Sequence, residues 1–377
     1  MKNFFMFPLT LTMTVTSYAQ VAFRPPVTLQ KPVKDTLHNV VITDPFRWLE
    51  DKEDPKVVAW TKAQHDYGIE YLKQTQQEHP GLREAIASYI DMDYEGPLNK
   101  IGNRVFQNVK RKGDMQSKIY TLINGKKVLI WDPVKLDPSG KTSTSGTSYT
   151  YDGNRAAISV QKSGAEISTT YIIDTRTGKI LHKPIENIFG FQWTKDQQHA
   201  YFTLRSKEDI DAQRPLKTYR WKAGDPIAKA QFIGTTSDAQ NNYFIYDNRY
   251  GDVTFFGEGD FYSNKVYMRK TGTNEPGQLI YESKEFNAYP EAIGDKLYIL
   301  TNDKAPNFRL MTADVSNPEY KDWKVLVPES ETVMQSYAVM KNNIIIQDKK
   351  DIMSRLTLYD LDGKRLREIE LPEVGNV

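Results

Sequence analysis

The side chains that could do chemistry in this sequence are scattered, and their pattern excludes more than it offers. The five histidines, His38, His65, His79, His182 and His199, show neither metal-ligand spacing nor a helical His-Glu-x-x-His pair that would set two imidazoles on one face. No Gly-x-Ser-x-Gly stretch supplies the strained turn that exposes a hydrolase serine. Cysteine is absent, which excludes disulfides, thiolate metal sites and a cysteine nucleophile together. Asp and Glu number 48, too many for a general acid and a general base to be chosen without geometry. Gly140-Lys141-Thr142 has the ending of a phosphate-binding loop, but the position of its required earlier glycine holds Lys135. These residues offer no catalytic group, no metal ligands and no cofactor cradle.

What they do offer is a repeated scaffold. Segments beginning at Asn103, Asn154, Gln198, Asp252, Asp295 and Asn342 each run from a polar turn into a strand, a charged loop and a second strand. With Tyr120, Tyr171, Tyr219, Tyr267, Met311 and Leu358 as equivalent points, the intervals are 51, 48, 48, 44 and 47 residues. A period in the forties, built on alternation rather than helical stripes, predicts a β-propeller. The alternation is visible at Tyr298 and Leu300 and at Ile344 and Ile346, and would turn one face of each blade toward its neighbour. Hairpins are predicted at Asn124-Gly125, Thr177-Gly178 and Asp362-Gly363, where these residues accept positive φ. Ser139 to Ser148, SGKTSTSGTS, reads as a low-complexity connector between blades.

Composition narrows the partners. A net charge of +2 gives no field that would draw nucleic acid or an anionic membrane, and Lys110-Arg111-Lys112 reads as a solvated loop. Residues 1–19 read as a signal peptide, with one lysine, an uncharged run and a Ser-Tyr-Ala ending, so the expected location is periplasmic or secreted. That run is shorter than the ~20 residues of a spanning helix, and no other run is long enough.

Residues 20–94 read as an extended and helical amino-terminal segment, and 95–377 as the propeller. Val21 to Thr43 is Pro-rich and predicted to be extended. Asp54 is a candidate N-cap with Pro55 at the first helical position, and Val57, Trp60, Tyr67 and Tyr71 mark one helical stripe. His79-Pro80-Gly81 ends that helix, and a second is predicted from Leu82 to Ile90.

Several stretches together resemble the prolyl oligopeptidase family: Asp44-Pro45-Phe46-Arg47-Trp48-Leu49-Glu50-Asp51, Val58-Ala59-Trp60 with Gln64, Pro306-Asn307-Phe308-Arg309-Leu310, and Trp323-Lys324-Val325-Leu326-Val327-Pro328. The resemblance continues through Ser163-Gly164, Phe191-Gln192-Trp193-Thr194-Lys195-Asp196 and Leu371-Pro372-Glu373-Val374-Gly375. It implies a seven-bladed propeller capping an α/β-hydrolase domain whose Ser, Asp and His follow the propeller, in a serine endopeptidase that cuts short peptides after proline without a cofactor. Six blades are visible, so the expectation is an incomplete propeller with the seventh blade, the hydrolase domain and the whole triad absent from this chain. The partners implied are short proline-containing peptides and the chain's own carboxy-terminal hydrolase domain. Trp48, Trp60 and Tyr67 would lack a partner without that domain, leaving an apolar patch.

The same resemblance implies four substrate-binding candidates. Glu166 matches an acidic residue that pairs with a basic residue of the hydrolase domain beside the peptide. Ile188 falls where the family often has a cleft aromatic, with Phe189 next to it, and Asp260 lies opposite a cleft position. The alternative reading is a self-sufficient exported six-bladed propeller that binds a peptide or sugar ligand. A propeller glycosidase would need three placed carboxylates that the sequence does not nominate.

Overall fold

The equivalent points all fall on the third strand of an antiparallel blade of four strands, the innermost strand of the first blade being split into Tyr94–Glu95 and Asn99–Ile101. Tyr120 lies in Lys118–Ile123, Tyr171 in Ser168–Asp174, Tyr219 in Lys217–Lys222, Tyr267 in Asn264–Lys270, Met311 in Arg309–Asp314 and Leu358 in Met353–Asp360. In five of the six a bulge shifts the register to the fourth strand at that very point: Ile119/Tyr120, Thr218/Tyr219, Val266/Tyr267, Leu310/Met311 and Leu358/Tyr359. An extra residue there bends the outer strand and increases its twist, as the edge of a blade requires. The computed structural model describes residues 24–273, 275–373 and 375–376 and shows an all-β propeller of six such blades. The expected signal segment, 1–19, lies outside the described residues.

The chain divides after Asp91 into two units. Tyr94–Glu95, at the boundary expected from the sequence, belongs to the second, because it pairs with Val109 and Lys110 of the first blade.

Neighbouring residues on one strand enter different cores, which is what a blade buried on both faces demands. Ile173 packs with Phe106, Ile130, Trp131 and Ile158 between blades 1 and 2. Its neighbour Ile172 packs with Ile188, Trp193, Phe202 and Trp221 between blades 2 and 3. Leu297 and Ile299 face blade 4 and its Phe255, whereas Tyr298 between them faces blade 6 with Ile344 and Ile346. Blades 3 and 4 are joined by polar contacts. Asp247 accepts the Lys195 amide at 2.8 Å and the Thr254 hydroxyl at 2.6 Å, and the Lys195 ammonium reaches the Gly251 carbonyl at 2.8 Å.

Blades 2 and 3 share one continuous seven-stranded sheet. Ile185–Trp193 pairs first with Ser168–Asp174 of blade 2 and then with His199–Leu204 of blade 3, shifting register between Ile188 and Gly190. Asn187, at φ +60°, sits where the strand changes partners. The fourth strand of one blade thus runs on as the first strand of the next.

Most of Ser139 to Ser148 is strand rather than connector: after a turn at Ser139 and Gly140, Thr142–Tyr149 is the first strand of blade 2. Ser145 to Ser148 border the central cavity, while the Thr144 hydroxyl accepts the Trp131 indole N–H at 3.0 Å and Thr142 bonds to Asp137, so polar side chains stand where the usual hydrophobic alternation is expected. The Asn124-Gly125 hairpin has φ +51° and +75°, as its residues predict. Gly363 is required for a second reason. Its hairpin docks on blade 5 so closely that a Cβ would lie 1.9 Å from the Leu326 carbonyl oxygen.

In residues 24–91 the helices fall where the caps place them, at Pro55–Glu78 (α1) and Leu82–Ile90 (α2), with the Asp54 carboxylate accepting the Lys56 amide at 2.8 Å. Val33–Leu37 and Val40–Asp44 form a hairpin inside the stretch expected to be simply extended, turning at His38 and Asn39, both with positive φ. Trp48 and Trp60 have partners within the unit, contrary to expectation. Their indole N–H groups donate to the Leu29 carbonyl at 2.7 Å and to the Thr28 hydroxyl at 3.0 Å, and Gln64 holds the Pro26 carbonyl at 2.9 Å. Arg47 bridges Asp35 and Asp44, tying the hairpin to the same turn. Exposed apolar side chains occur on the hairpin, at Val40 and Val41, at Val58 on α1, and further along at Leu72, Leu82, Ile86, Tyr89 and Ile90. No helix of the described residues is long and apolar enough to cross a membrane.

Candidate functional site

The first strand of every blade borders one cavity of about 960 Å³ at the centre of the ring. Blade 1 contributes Asn99 and Ile101; blade 2 the Ser145 to Tyr149 run; blade 3 Phe189 to Gln192; blade 4 Tyr246 and Asp247; blade 5 Tyr289 to Glu291; blade 6 Gln335 to Tyr337. Its wall is mixed in character, hydroxyls and amides on one side and tyrosines on the other. A cavity near the upper end of ordinary ligand-site volumes, lined on all sides by rigid strands, can hold a short extended chain.

Two of the four candidates from the sequence border this cavity. Glu166 lies in the loop between the second and third strands of blade 2, after a turn whose Ser163 and Gly164 have φ +52° and +74°. Its side chain is exposed and makes no ion pair among the described residues. Phe189 is 43% exposed on the cavity wall, with the Arg205 guanidinium 5.3 Å from its ring centroid.

The structure does not bring the other two there. Ile188 is 1% exposed and belongs to the core between blades 2 and 3, because the kink at Asn187 turns it inward and its neighbour Phe189 outward. Asp260 closes a tight hairpin in blade 4, accepting the amides of Tyr262 and Ser263, each at 2.8 Å. Those two bonds hold its carboxyl below the usual carboxylate range. That turn presents Phe261, 95% exposed, and Tyr262, 77% exposed.

Sequence reasoning missed the tyrosine side of the cavity. Tyr246 donates its hydroxyl to the Pro290 carbonyl at 3.0 Å, and Tyr337 donates to the Tyr298 carbonyl at 3.0 Å, so each phenol is fixed to an adjacent blade. Burial pushes both hydroxyls above the ordinary tyrosine range. Glu291 lies in the same wall, half-buried, and burial raises its carboxyl as well. Tyr246, Tyr289 and Tyr337 lie on first strands, whereas the repeat is carried by the second and third. Among the described residues no group of three or more His, Asp or Glu could hold a metal ion.

The second-to-third-strand loops of all blades project to one face of the ring, since antiparallel blades alternate direction in the same way. That face carries Glu166, Phe261, Tyr262 and Ile352, the last 86% exposed.

Comparison with known proteins agrees with this architecture. A sequence model described as "Prolyl oligopeptidase, N-terminal beta-propeller domain" matches residues 25–377. The prolyl endopeptidase of Elizabethkingia miricola is 25% identical over 354 residues, covering 90% of this chain and 50% of that protein. Protease 2 of Moraxella lacunata is 21% identical over 364 residues, covering 92% of this chain and 51% of that protein. A solved structure from a structural and mechanistic analysis of two prolyl endopeptidases superimposes with a TM-score of 0.84 at 25% identity, covering 93% of this chain and 53% of that one. The chain spans about half the length of the curated relatives it matches. The match through nearly all of the described residues, on six blades around a central cavity, shows that the chain belongs to the prolyl oligopeptidase family, in its N-terminal β-propeller domain.

Proposed function

We propose that this chain is the propeller part of an exported serine endopeptidase that hydrolyses short peptides after proline, and that the propeller controls which substrates reach the catalytic groups. The observation that carries the reading is the central cavity, bordered by all six blades and lined by Glu166 and Phe189. A peptide of a few residues fits such a volume, whereas a folded domain of 100 residues has a radius of gyration of about 13 Å and is excluded.

The serine, aspartate and histidine of acyl transfer belong to a hydrolase domain encoded outside residues 1–377. That domain seats on the face bearing Glu166, Phe261, Tyr262 and Ile352, where exposed aromatic and aliphatic side chains offer area to bury. Glu166 pairs there with a basic residue of the partner domain, and Phe189 lines the peptide path. The protein works in the periplasm or outside the cell. A self-sufficient ligand-binding propeller is the weaker reading, because the relatives matched along about 90% of the chain are named as peptidases.

A proline-containing peptide bearing a photoreactive group tests the cavity's role. After cross-linking to the 377-residue chain, the labels are expected on residues 145–149, 189–192 and 289–291. Labels confined to outer strands or to α1 and α2 would overturn it.

A further inference from the structure

We propose that Glu291, flanked by Tyr246, Tyr289 and Tyr337, forms a subsite in the cavity wall for a cationic group of the peptide, either its amino-terminal ammonium or a Lys or Arg side chain. The proposal rests on the reading that peptides enter the cavity, and adds a preference that nothing in that reading supplies.

Four charged side chains border the cavity: Glu166, Asp247, Arg249 and Glu291. Asp247 is 6% exposed and accepts the Lys195 amide, the Thr254 hydroxyl and, at 3.5 Å, the Tyr201 hydroxyl, so it serves the joint between blades 3 and 4. Arg249 lies against the ring of Tyr250, 5.6 Å from its centroid. Glu166 belongs to an exposed loop. Glu291 differs from all three. It is half-buried, makes no ion pair among the described residues, and sits in the cavity wall itself.

Its neighbours cannot neutralise it. The Tyr337 hydroxyl is within reach of both the Glu291 carboxylate and the Tyr298 carbonyl, and has one proton to give. The Tyr246 proton is committed to the Pro290 carbonyl. What remains is a carboxylate with free acceptor capacity, set beside three phenols. Tyr289, two residues before it on the same face of the strand, is 51% exposed. A carboxylate supplies the counter-charge and the aromatic faces supply quadrupole attraction, a combination suited to ammonium and guanidinium groups.

The groups facing Glu291 are Tyr246, Tyr298 and Tyr337, all held above the ordinary phenol range by burial, and Tyr289, raised likewise. None of them titrates between pH 5 and 8. Burial raises the Glu291 carboxyl, so its anionic form is gained as pH rises through a value above that of a free glutamate. Cation binding strengthens over that same interval.

Calorimetric titration of the 377-residue chain tests the proposal with three octapeptides of Gly, Ser and Pro. One is amino-terminally acetylated with a central Lys, one is acetylated with norleucine in its place, and one carries norleucine and a free amino terminus. At pH 8 the Lys peptide is expected to bind about tenfold tighter than its acetylated norleucine counterpart, and the ratio to shrink at pH 5. Glu291→Gln brings the two to within twofold at both pH values, while Glu291→Asp retains the preference. The third peptide, if tighter than the acetylated norleucine form, assigns the subsite to the terminal ammonium as well. Equal binding of the Lys and norleucine peptides by the unaltered chain at pH 8 would overturn the proposal whatever the variants do. So would a preference that survives Glu291→Gln. Hydrolysis is not read in any arm, so a failure of the peptidase reading and a failure of this subsite are separate results.

Discussion

The Tyr246 hydroxyl on blade 4 donates to the main-chain carbonyl of Pro290 on blade 5 at 3.0 Å, and Tyr337 on blade 6 reaches back to the Tyr298 carbonyl of the same blade at the same distance. Blade 5 is thereby clamped from both sides at the cavity wall. Tyr246→Phe and Tyr337→Phe each remove one hydrogen bond to blade 5, for a cost of about 1 kcal/mol apiece. Urea unfolding of the two single variants and the double variant checks this. Midpoints unchanged from the unaltered chain would mean that the hydroxyls contribute nothing to blade cohesion.

Gly363 and Gly125 both have positive φ, at +82° and +75°, yet differ in surroundings. A Cβ at Gly125 meets nothing within 4 Å, whereas one at Gly363 meets the Leu326 carbonyl at 1.9 Å. Gly125→Ala is expected to cost about 1 kcal/mol from backbone strain alone. Gly363→Ala adds steric overlap with main chain that cannot rotate away, for roughly 3 kcal/mol in total. Equal losses in a thermal or denaturant melt would mean that the docking of the hairpin on blade 5 is not tight.

Asp196 makes a small, acid-sensitive contribution to the stability of the propeller. Burial pushes its carboxyl up, but hydrogen bonds from the Thr194 hydroxyl, the Gln198 amide and the ring and amide of His199 outweigh that and bring it to about 2. An unfolded aspartate titrates near ~3.9, so the unfolded chain takes up the proton first as pH falls. The stabilisation is fully present above about pH 4 and is lost as pH drops toward 2. The side chain is 44% exposed, so screening keeps the contribution below about 1 kcal/mol. Asp196→Asn should flatten the stability profile between pH 4 and 2. A profile parallel to that of the unaltered chain would contradict it.

Ile188 and Phe189 are consecutive residues with opposite fates, one in the core and one on the cavity wall. Ile188→Ala is expected to cost about 2–4 kcal/mol through the cavity it leaves. Phe189→Ala should cost under about 1 kcal/mol of stability, and in the complete gene product should raise KM for a prolyl peptide roughly three- to tenfold. The reverse ordering of stability losses would misplace the kink at Asn187.

The third strands were legible because their repeat is marked by a large, mostly aromatic side chain, from Tyr120 to Leu358. The helix limits were equally legible, since Asp54, Pro55 and Gly81 act locally. First strands were harder to read, because the side that borders the cavity carries polar residues; Ser139 to Ser148 therefore resembles a linker, and Glu291 an ordinary surface acid. The fusion of blades 2 and 3 escaped notice for a different reason. Nothing between Ile185 and Trp193 breaks the strand in sequence, and one left-handed residue, Asn187, is enough to change its partner. Trp48 and Trp60 were expected to await another domain because their indole N–H groups bond to residues 19 and 32 positions away, a pairing that periodicity does not reveal.

The central claim is that this propeller belongs to a peptidase and admits only short chains to it. Its most direct test is hydrolysis by the complete gene product of an eight-residue peptide containing one proline, compared with the same eight residues held within a folded protein, and with the 377-residue chain assayed alone. Cleavage after proline is expected in the free peptide, abolished by a serine-directed reagent, with no cleavage of the folded protein and none by the isolated chain. Cleavage of the folded protein at a comparable rate, or hydrolysis by the 377 residues on their own, would contradict it.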